Sequence, residues 1–412
     1  MKIALESITA RKVKAHRMRR RDFLVGSSRA ALGFCLLPVA APARGNQKSA
    51  ELKDGTAWRT LIAELEKQIP KLMEEVMVPG LSIAIIKDAK LRWRRGFGVK
   101  DSASKKPVDN DTVFEAASMS KPVFAYAVMK LCEKGIMDLD TPLTKYTSEL
   151  FVEGDPRLEL ITARQVLSHT SGFQNWRSEK EPLKIHFTPG EKYLYSGEGY
   201  SYLQSVVTHL TGQVNLKACA TYGAGLEVCA TDIDPHMKRN LFVPFGMASS
   251  GYVWNDMFEK RMARPHDEKG KPFDNQKGTA TSVARYGSSG ALLTTPADYA
   301  KFVIEIIDPK ESDAFRLKKD SLEEMLRPQV KVVENDEYSI SWALGWRLAH
   351  TKNDDVINHG GDNKGFHCFS EASVERKSGF VIMTNGENGA ELLKKLAPAV
   401  ARRLHPFPDR RR

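Results

Sequence analysis

A serine and a lysine stand three residues apart where an apolar helical pattern begins. Ser118 and Lys121 lie within the run F-E-A-A-S-M-S-K-P-V-F-A-Y-A-V, and Pro122 suits the first turn of a helix, where its missing N–H is no loss. Residues three apart share one helical face, so we expect the Lys121 amine to reach the Ser118 hydroxyl. After the lysine, apolar residues recur at helical spacing at Phe124, Ala127, Val128 and Leu131.

This pairing has a chemical meaning and also an ordinary alternative. A serine hydroxyl is a weak nucleophile, and a partly buried lysine beside a helix N-terminus can accept its proton. The spacing alone is a weak signal, because chance gives about two such pairs in a chain of this length. Ser102 to Lys105 is a second pair, in a polar loop. On spacing alone, a capping serine beside a solvated lysine is the favoured interpretation of Ser118.

The elements that must position this pair come from both ends of the chain. A helical pattern runs from Trp58 to Met77 with an interruption at Pro70, and a hairpin follows over Leu81–Ile86 and Leu91–Val99. Near the other end the pattern predicts three strands and a closing helix, at Trp342–Ala349, Gly365–Ala372, Gly379–Thr384 and Glu391–Leu404.

These elements predict an α+β fold. An antiparallel sheet is built from both chain ends, at about 44–115 and 330–404, with flanking helices. A mostly helical lobe, at about 116–329, is inserted between the two parts of the sheet. The two lobes together form one domain over 44–404.

The N-terminal segment has the features of an export signal. Arg20-Arg21-Asp22-Phe23-Leu24 precedes the apolar stretch Val25–Leu37, and Ala41-Pro42-Ala43 follows it. This pattern resembles a twin-arginine signal over residues 1–43, cleaved after Ala43, and predicts a periplasmic or secreted protein. A membrane anchor is the weaker alternative, because a span needs about 20 apolar residues.

Charge gives no support for a nucleic-acid partner. The first 43 residues carry nine Lys or Arg and two acidic side chains, so their removal lowers the net charge from +11 to +4. The end of the chain, 402–412, carries five Arg and one Asp, and its last residues, 405–412, form a basic tail. The body of the chain is therefore near neutral, without the excess positive charge that a polyanion partner requires.

The remaining cysteines, histidines and tryptophans have no pattern that requires a metal or cofactor. Cys219 and Cys229 either form a short disulfide loop or stay reduced, within a segment Asn215–His236 that is a lid or an insertion loop. Cys132 and Cys368 are expected to be buried thiols. The histidines show no metal-ligand spacing, and we expect core or structural positions for them and for two tryptophans. These residues are His169, His186, His209, His236, His266, His350, His367, Trp342 and Trp346.

From Val78 to Asn388 the chain is similar to the serine β-lactamase-related hydrolases, in the branch of class C β-lactamases, D-Ala-D-Ala carboxypeptidases and related esterases. The resemblance rests on several motifs in the family's order. They are V-P-G-L-S-I-A-I-I-K-D, D-T-V-F-E-A-A-S-M-S-K, L-D-L-D-T-P-L-T-K-Y, I-T-A-R-Q-V-L-S-H-T-S-G-F, F-T-P-G-E-K-Y-L-Y-S-G-E-G-Y, Y-G-S-S-G-A-L-L-T-T-P-A-D-Y-A-K-F and H-G-G-D-N-K-G-F.

The resemblance implies roles for the residues of three motifs. Ser118 would be the nucleophile that forms an acyl-enzyme, and Lys121 its partner in proton transfer. Tyr195 would share the base role, as a phenolate only if the lysine's charge lies beside it. His359, Gly360 and Gly361 match the third motif, which lies on a strand beside the substrate. The backbone N–H groups of Ser118 and Asp362 would form the oxyanion hole.

Two departures from the family pattern bear on the substrate. Gly197 stands where the family usually has an asparagine that supports the lysine and binds the substrate's amide. His359 stands where β-lactamases have a lysine that attracts a carboxylate. We therefore expect an esterase acting on a small molecule, without a cofactor.

A D-amino-acid peptidase, a weak β-lactamase and a non-catalytic binding protein are the alternatives. Across the enzymatic interpretations, the substrate is a small ester, amide or lactam. The oligomeric state is left open.

Overall fold

The computed structural model describes residues 54–147, 152, 154–178, 181–212, 230–274, 287–335, 338–351 and 355–404. All of them belong to one compact unit. Three predictions lie outside the described residues: the export signal at 1–43, the state of Cys219 and Cys229, and the basic tail at 405–412. Of the segment Asn215–His236, only 230–236 is described.

The N-terminal elements form as the apolar spacing predicts. Helix α1 spans Asp54–Glu75 and continues through Pro70, which lies on its exposed face. Strands β1 (Gly80–Lys87) and β2 (Lys90–Asp101) pair as an antiparallel hairpin, as expected. Every residue of β1 except Lys87 is buried, which identifies a strand covered on both faces.

The central part of the chain is mostly helical. It contains the short strands β3 (Lys106–Pro107), β4 (Phe114–Glu115) and β5 (Leu293–Thr294). Its helices are α2 (Ser120–Glu133), α3 (Ala163–Leu167), α4 (Gly197–Leu210), α5 (Ala230–Met237), α6 (Asp256–Arg261), α7 (Pro296–Ile307) and α8 (Lys319–Leu326).

Side chains cap the starts of four of these helices. Thr162 forms a capping box with Gln165 at α3. Ser196, Asn255 and Thr295 accept backbone N–H bonds at α4, α6 and α7. The helix starts are thus set by local sequence.

The C-terminal part supplies most of the sheet. Its elements are β6 (Val330–Glu334), β7 (Tyr338–Trp342), β8 (Arg347–Thr351), β9 (Asp355–Asn363), β10 (Phe366–Ser373), β11 (Ser378–Thr384) and α9 (Gly389–Leu404). The prediction of one strand over Trp342–Ala349 is wrong. The chain turns at Gly345, whose φ of +85° favours glycine, and this run is divided between β7 and β8.

The sheet joins the two ends of the chain as predicted. Nine strands lie in the order β3-β2-β1-β11-β10-β9-β8-β7-β6, and the seam is the antiparallel pair β1–β11, where Ile83 faces Ile382. Helix α7 packs against β1 and β11, whereas α9 packs against β10, β11 and α1. Among the helices that the structure describes, none is long and apolar enough to cross a lipid bilayer.

Candidate active site

Ser118 lies in a short 3₁₀ turn, Ala117–Met119, directly before α2. Ala117 has a φ of +47°, in the left-handed region that non-glycine residues rarely adopt. The buried Ser120 fixes the turn, because its Oγ donates to the Ala117 carbonyl at 2.6 Å and accepts from Leu292 N–H at 3.0 Å. Ala117 and Met119 are buried whereas Ser118 is partly exposed, so the turn presents the hydroxyl outward.

The amine of Lys121 reaches this hydroxyl. Nζ lies 3.1 Å from Ser118 Oγ and 2.7 Å from the carbonyl oxygen of Ser289. The rings of Tyr195 and Tyr200 lie 4.8 and 5.5 Å from Nζ. Burial lowers the pKa of Lys121 to about 7. The neutral amine donates to Ser289 and keeps a lone pair for the Ser118 proton.

Tyr195 contacts the same serine from the segment before α4. Burial raises the pKa of the Tyr195 phenol well above its usual value of about 10, and a hydrogen bond with Ser118 opposes this rise only in part. A phenolate would require a charged lysine beside it. Because burial favours the neutral form of Lys121, Tyr195 is a neutral phenol in this site.

His169 holds the segment that carries Tyr195. Its Nδ1 accepts the backbone N–H of Ser196 at 3.0 Å, and its ring centroid lies 4.2 Å from that of Tyr195. Burial, together with the charge that Lys121 carries when it is protonated, places the pKa of His169 well below its usual value. The neutral ring therefore positions Tyr195 through a tilted ring contact and through the backbone bond to its neighbour Ser196.

Strand β9 meets the turn that carries Ser118 at a glycine. An added Cβ at Gly361 would lie 2.3 Å from the Ala116 carbonyl oxygen and 3.1 Å from the Ala117 Cβ. At Gly360, by contrast, the nearest atoms would lie 3.7 Å away. Strand pleating places Gly360 on the opposite face. The close approach of β9 to the turn thus requires a glycine at 361.

His359 lies on the same face of β9 as Gly361. Burial above all, and also the charge of Lys121, lowers the pKa of His359 to about 3, so the imidazole is neutral. Its Nδ1 lies 2.6 Å from the Gly360 carbonyl oxygen. A carbonyl only accepts, so Nδ1 carries the proton and Nε2 is an acceptor. Nε2 is buried, and within the described part of the chain it has no hydrogen-bond partner.

The side chain of Asp362 is engaged elsewhere. Its Oδ1 lies 2.6 Å from Nδ1 of His367, the residue opposite it on β10. This pair lies on the face of β9 opposite Gly361. The role that the resemblance implies for Asp362 involves its backbone N–H, which would form the oxyanion hole with that of Ser118. That role stays a prediction.

Gly197 is the first residue of α4, and a tryptophan occupies the space beside it. An added Cβ would lie 2.4 to 2.7 Å from three carbons of the Trp176 indole. Sequence reasoning missed Trp176, because a single tryptophan in a polar loop gives no local signal. It also placed Trp342 in the core. Trp342 is indeed buried, yet its ring lies 5.6 Å from Tyr195 and 5.5 Å from His359.

The described residues contain no group of three or more His, Cys, Asp or Glu side chains that could hold a metal ion. The described residues bring together a serine hydroxyl, a buried amine and a phenol.

The family model described as Beta-lactamase matches residues 65–405. The chain belongs to the Beta-lactamase family. This result confirms the resemblance that the motifs indicate, and the chain is thus a member of a family of serine hydrolases related to penicillin-binding proteins.

One curated relative is distant in sequence. Protein flp of Staphylococcus aureus is 21% identical over 353 residues, which cover 79% of this chain and 64% of flp. The chain thus spans less than two thirds of the length of that curated relative.

Two solved structures share the fold. An octameric penicillin-binding protein homologue from Pyrococcus abyssi is 22% identical, with a TM-score of 0.65 over 82% of this chain and 77% of that one. A β-lactamase/D-alanine carboxypeptidase from Pseudomonas syringae is 19% identical, with a TM-score of 0.66 over 85% of this chain and 100% of that one. These structures confirm the predicted antiparallel sheet with its inserted helical lobe.

Proposed function

We propose that this chain hydrolyses small carboxylic esters through an acyl-enzyme on Ser118. The observation that supports it most is the position of Lys121, buried and with Nζ 3.1 Å from the serine oxygen. The Ser118 proton moves to Nζ while Oγ forms a bond to the ester carbonyl carbon. The Ser289 carbonyl holds Nζ in place during this transfer.

The second half of acylation releases the alcohol. As the tetrahedral adduct collapses, the bond to the leaving oxygen breaks and Tyr195 gives that oxygen its phenolic proton. Lys121 then returns a proton to Tyr195, so both groups regain their neutral forms. Water hydrolyses the acyl-enzyme by the reverse transfers. The backbone N–H groups of Ser118 and Asp362 are the proposed donors to the oxyanion.

The ester preference is supported by what His359 and Gly197 lack. A neutral imidazole that presents a lone pair offers no positive charge to a substrate carboxylate. Gly197 has no side-chain amide for a peptide or lactam amide, and a buried unpaired amide costs about 1–3 kcal/mol. Peptides and β-lactams need both kinds of contact, whereas simple esters need neither.

A D-amino-acid peptidase is the second candidate. The Pseudomonas syringae structure that shares the fold is named a β-lactamase/D-alanine carboxypeptidase. If this chain is such a peptidase, it should release D-alanine from short peptides faster than it cleaves esters. A binding protein that kept the fold without turnover is the candidate of another class.

One labelling experiment separates these candidates. The purified protein is incubated with a fluorophosphonate probe and with a fluorescent penicillin, and the labelled residue is identified by mass spectrometry. We expect fluorophosphonate on Ser118, little penicillin label, and none of either on Ser118→Ala. Ser102→Ala removes the serine of the second Ser-x-x-Lys pair and should label normally. Absence of label from both probes would favour the binding protein.

We further propose that the protein is exported, with a periplasmic or secreted mature form. The support is the Arg20-Arg21 motif and the Ala41-Pro42-Ala43 cleavage site. An Arg20→Lys, Arg21→Lys double variant should accumulate uncleaved in the cytoplasm, whereas the mature wild-type chain should begin at Arg44. An unprocessed wild-type chain in the cytoplasm would contradict export.

A further inference from the structure

The indole of Trp176 fills the volume that a side chain at position 197 would take. An ideal Cβ on Gly197 would lie 2.4 Å from Cη2, 2.6 Å from Cζ3 and 2.7 Å from Cζ2 of the indole. Carbon atoms in contact prefer separations of about 3.5–4.0 Å. The tryptophan and any side chain at 197 therefore exclude each other.

The residues on both sides of Trp176 are tied to the first turn of α4. Asn175 accepts the Gly197 N–H through its side-chain Oδ1 at 2.9 Å. Arg177 donates to the buried Glu198 through its backbone N–H at 2.8 Å and through Nε at 2.9 Å. The indole thus lies between two anchors and keeps its position over the helix start.

The direction in which a side chain at position 197 would project indicates that the indole lies on the same side as Ser118. Ser196 has an extended backbone, with φ of −138° and ψ of 117°. In extended backbone, alternate residues project to the same side, so Tyr195 and position 197 share one side. The Tyr195 side chain makes a hydrogen bond with Ser118 on that side. Trp176 is partly exposed, so the residue is not enclosed in the core.

We propose that Trp176 is the acyl-side wall of the substrate site and selects apolar acyl groups that carry no amide. The proposal rests on the proposed ester hydrolysis and names its substrate class. Indole carbons offer a large apolar surface and no hydrogen bond to an acyl-side amide. An amide placed against them loses about 10- to 100-fold in kcat/KM, whereas an aryl or alkyl group gains from the contact.

The first test removes the wall. We would measure kcat/KM for the p-nitrophenyl esters of acetic acid, phenylacetic acid and N-acetylglycine. Trp176→Ala should lower the phenylacetate-to-acetate ratio about 10-fold. Trp254→Ala is the matched control, because Trp254 is also partly exposed and lines a different cavity, beside Lys100 and Phe273. Its ratios should equal those of the wild type.

The second test exchanges the two side chains. Gly197→Asn alone should lose most activity, because its Cβ collides with the indole. The double variant Trp176→Gly, Gly197→Asn removes the collision. It should recover esterase activity and raise the N-acetylglycinate-to-phenylacetate ratio about 10- to 100-fold over the wild type. A single Gly197→Asn variant with wild-type activity would show that the indole does not hold this space.

The outcomes separate this inference from the proposed function. If the wild type cleaves esters through Ser118 but Trp176→Ala leaves all three ratios unchanged, Trp176 is not the acyl wall and the inference alone is wrong. If the wild type cleaves none of the esters, both proposals are wrong. Circular dichroism checks the fold of each variant. If Trp176→Ala does not fold, Trp176→Phe replaces it, because it keeps a smaller ring. It should lower the phenylacetate-to-acetate ratio of kcat/KM about threefold. An unchanged ratio contradicts the inference.

Discussion

Nζ of Lys121 lies 3.1 Å from Oγ of Ser118, although the serine belongs to a 3₁₀ turn and the lysine to the helix that follows it. The contact depends on where α2 begins, because Ser120 is its first residue and Lys121 the second. A lysine at that place is fully buried, and the Ser289 carbonyl holds its amine. The distance between the two groups permits the proposed proton transfer, which requires the neutral form of Lys121.

The first prediction concerns pH. Burial lowers the pKa of Lys121 to about 7, and only its neutral form accepts the Ser118 proton. Ester kcat/KM should therefore rise with pH along a limb with an apparent pKa of about 7 and level off above it. Burial raises the pKa of Tyr195, so the phenol keeps its proton across this range. A pH–rate profile from pH 5 to 9 measures the limb.

Lys121→Arg provides the control for that profile, because a guanidinium stays charged at every pH of the experiment. It should be inactive throughout. A wild-type kcat/KM that still rises tenfold per pH unit at pH 9 would mean that Lys121 keeps the pKa of a solvated amine and would contradict the mechanism.

The second prediction concerns the lysine and tyrosine as one unit. Lys121→Ala and Tyr195→Phe should each lower kcat by roughly 10²-fold or more, because each removes a group from the same proton transfer. The double variant should lose much less than the product of the two effects. Steady-state kinetics on p-nitrophenyl acetate measures this. Fully multiplicative losses would show that the two residues act independently.

The third prediction is that the buried amine of Lys121 destabilises the fold. Its folded pKa of about 7 lies below the ordinary 10.5, so between these values the unfolded chain binds more protons and stability rises with pH. The cost is fully present below pH 7 and disappears above pH 10.5. Lys121→Met should therefore raise the free energy of unfolding by about 1–3 kcal/mol at pH 6.5, once the loss of the hydrogen bond to Ser289 is taken into account.

Thermal unfolding checks this sign. The melting temperature of Lys121→Met should exceed that of the wild type at pH 6.5, and the difference should shrink at pH 9.5. Lys319→Met is the control, because the Lys319 side chain is 84% exposed, and it should change the melting temperature little at either pH. A less stable Lys121→Met variant at pH 6.5 would contradict the desolvation argument.

Local pattern is sufficient for part of this site. The spacing of Ser118 and Lys121, with a helix following, predicts their contact, and alternation predicts the hairpin of β1 and β2. The collision at Gly197 involves Trp176, which is remote in sequence, so no local pattern reveals it. The phenol state of Tyr195 depends on burial, which is a property of the folded chain. The turn at Gly345 divides an apolar run that reads as one strand.

The last prediction concerns the two adjacent glycines of β9. At Gly361 an added Cβ would lie 2.3 Å from the Ala116 carbonyl oxygen and 2.6 Å from Cys368 Sγ. That carbonyl already accepts the Met119 N–H at 3.0 Å and the Cys368 thiol at 2.9 Å. Gly361→Ala must therefore displace either the strand or the turn that carries Ser118. We expect it to slow fluorophosphonate labelling of Ser118 by about 10²-fold and to cost roughly 1–3 kcal/mol in stability.

Gly360→Ala is the matched control for stability. Its added Cβ would meet the Cys368 carbonyl oxygen and the Phe369 ring at 3.7 Å, which is ordinary van der Waals contact. Its melting temperature should therefore stay close to that of the wild type, because an alanine methyl fits at 360 and not at 361. If the melting temperatures of both variants fall by the same amount, the strand tolerates no side chain at either position. If Gly361→Ala labels at the wild-type rate, the contact between β9 and the turn does not position Ser118.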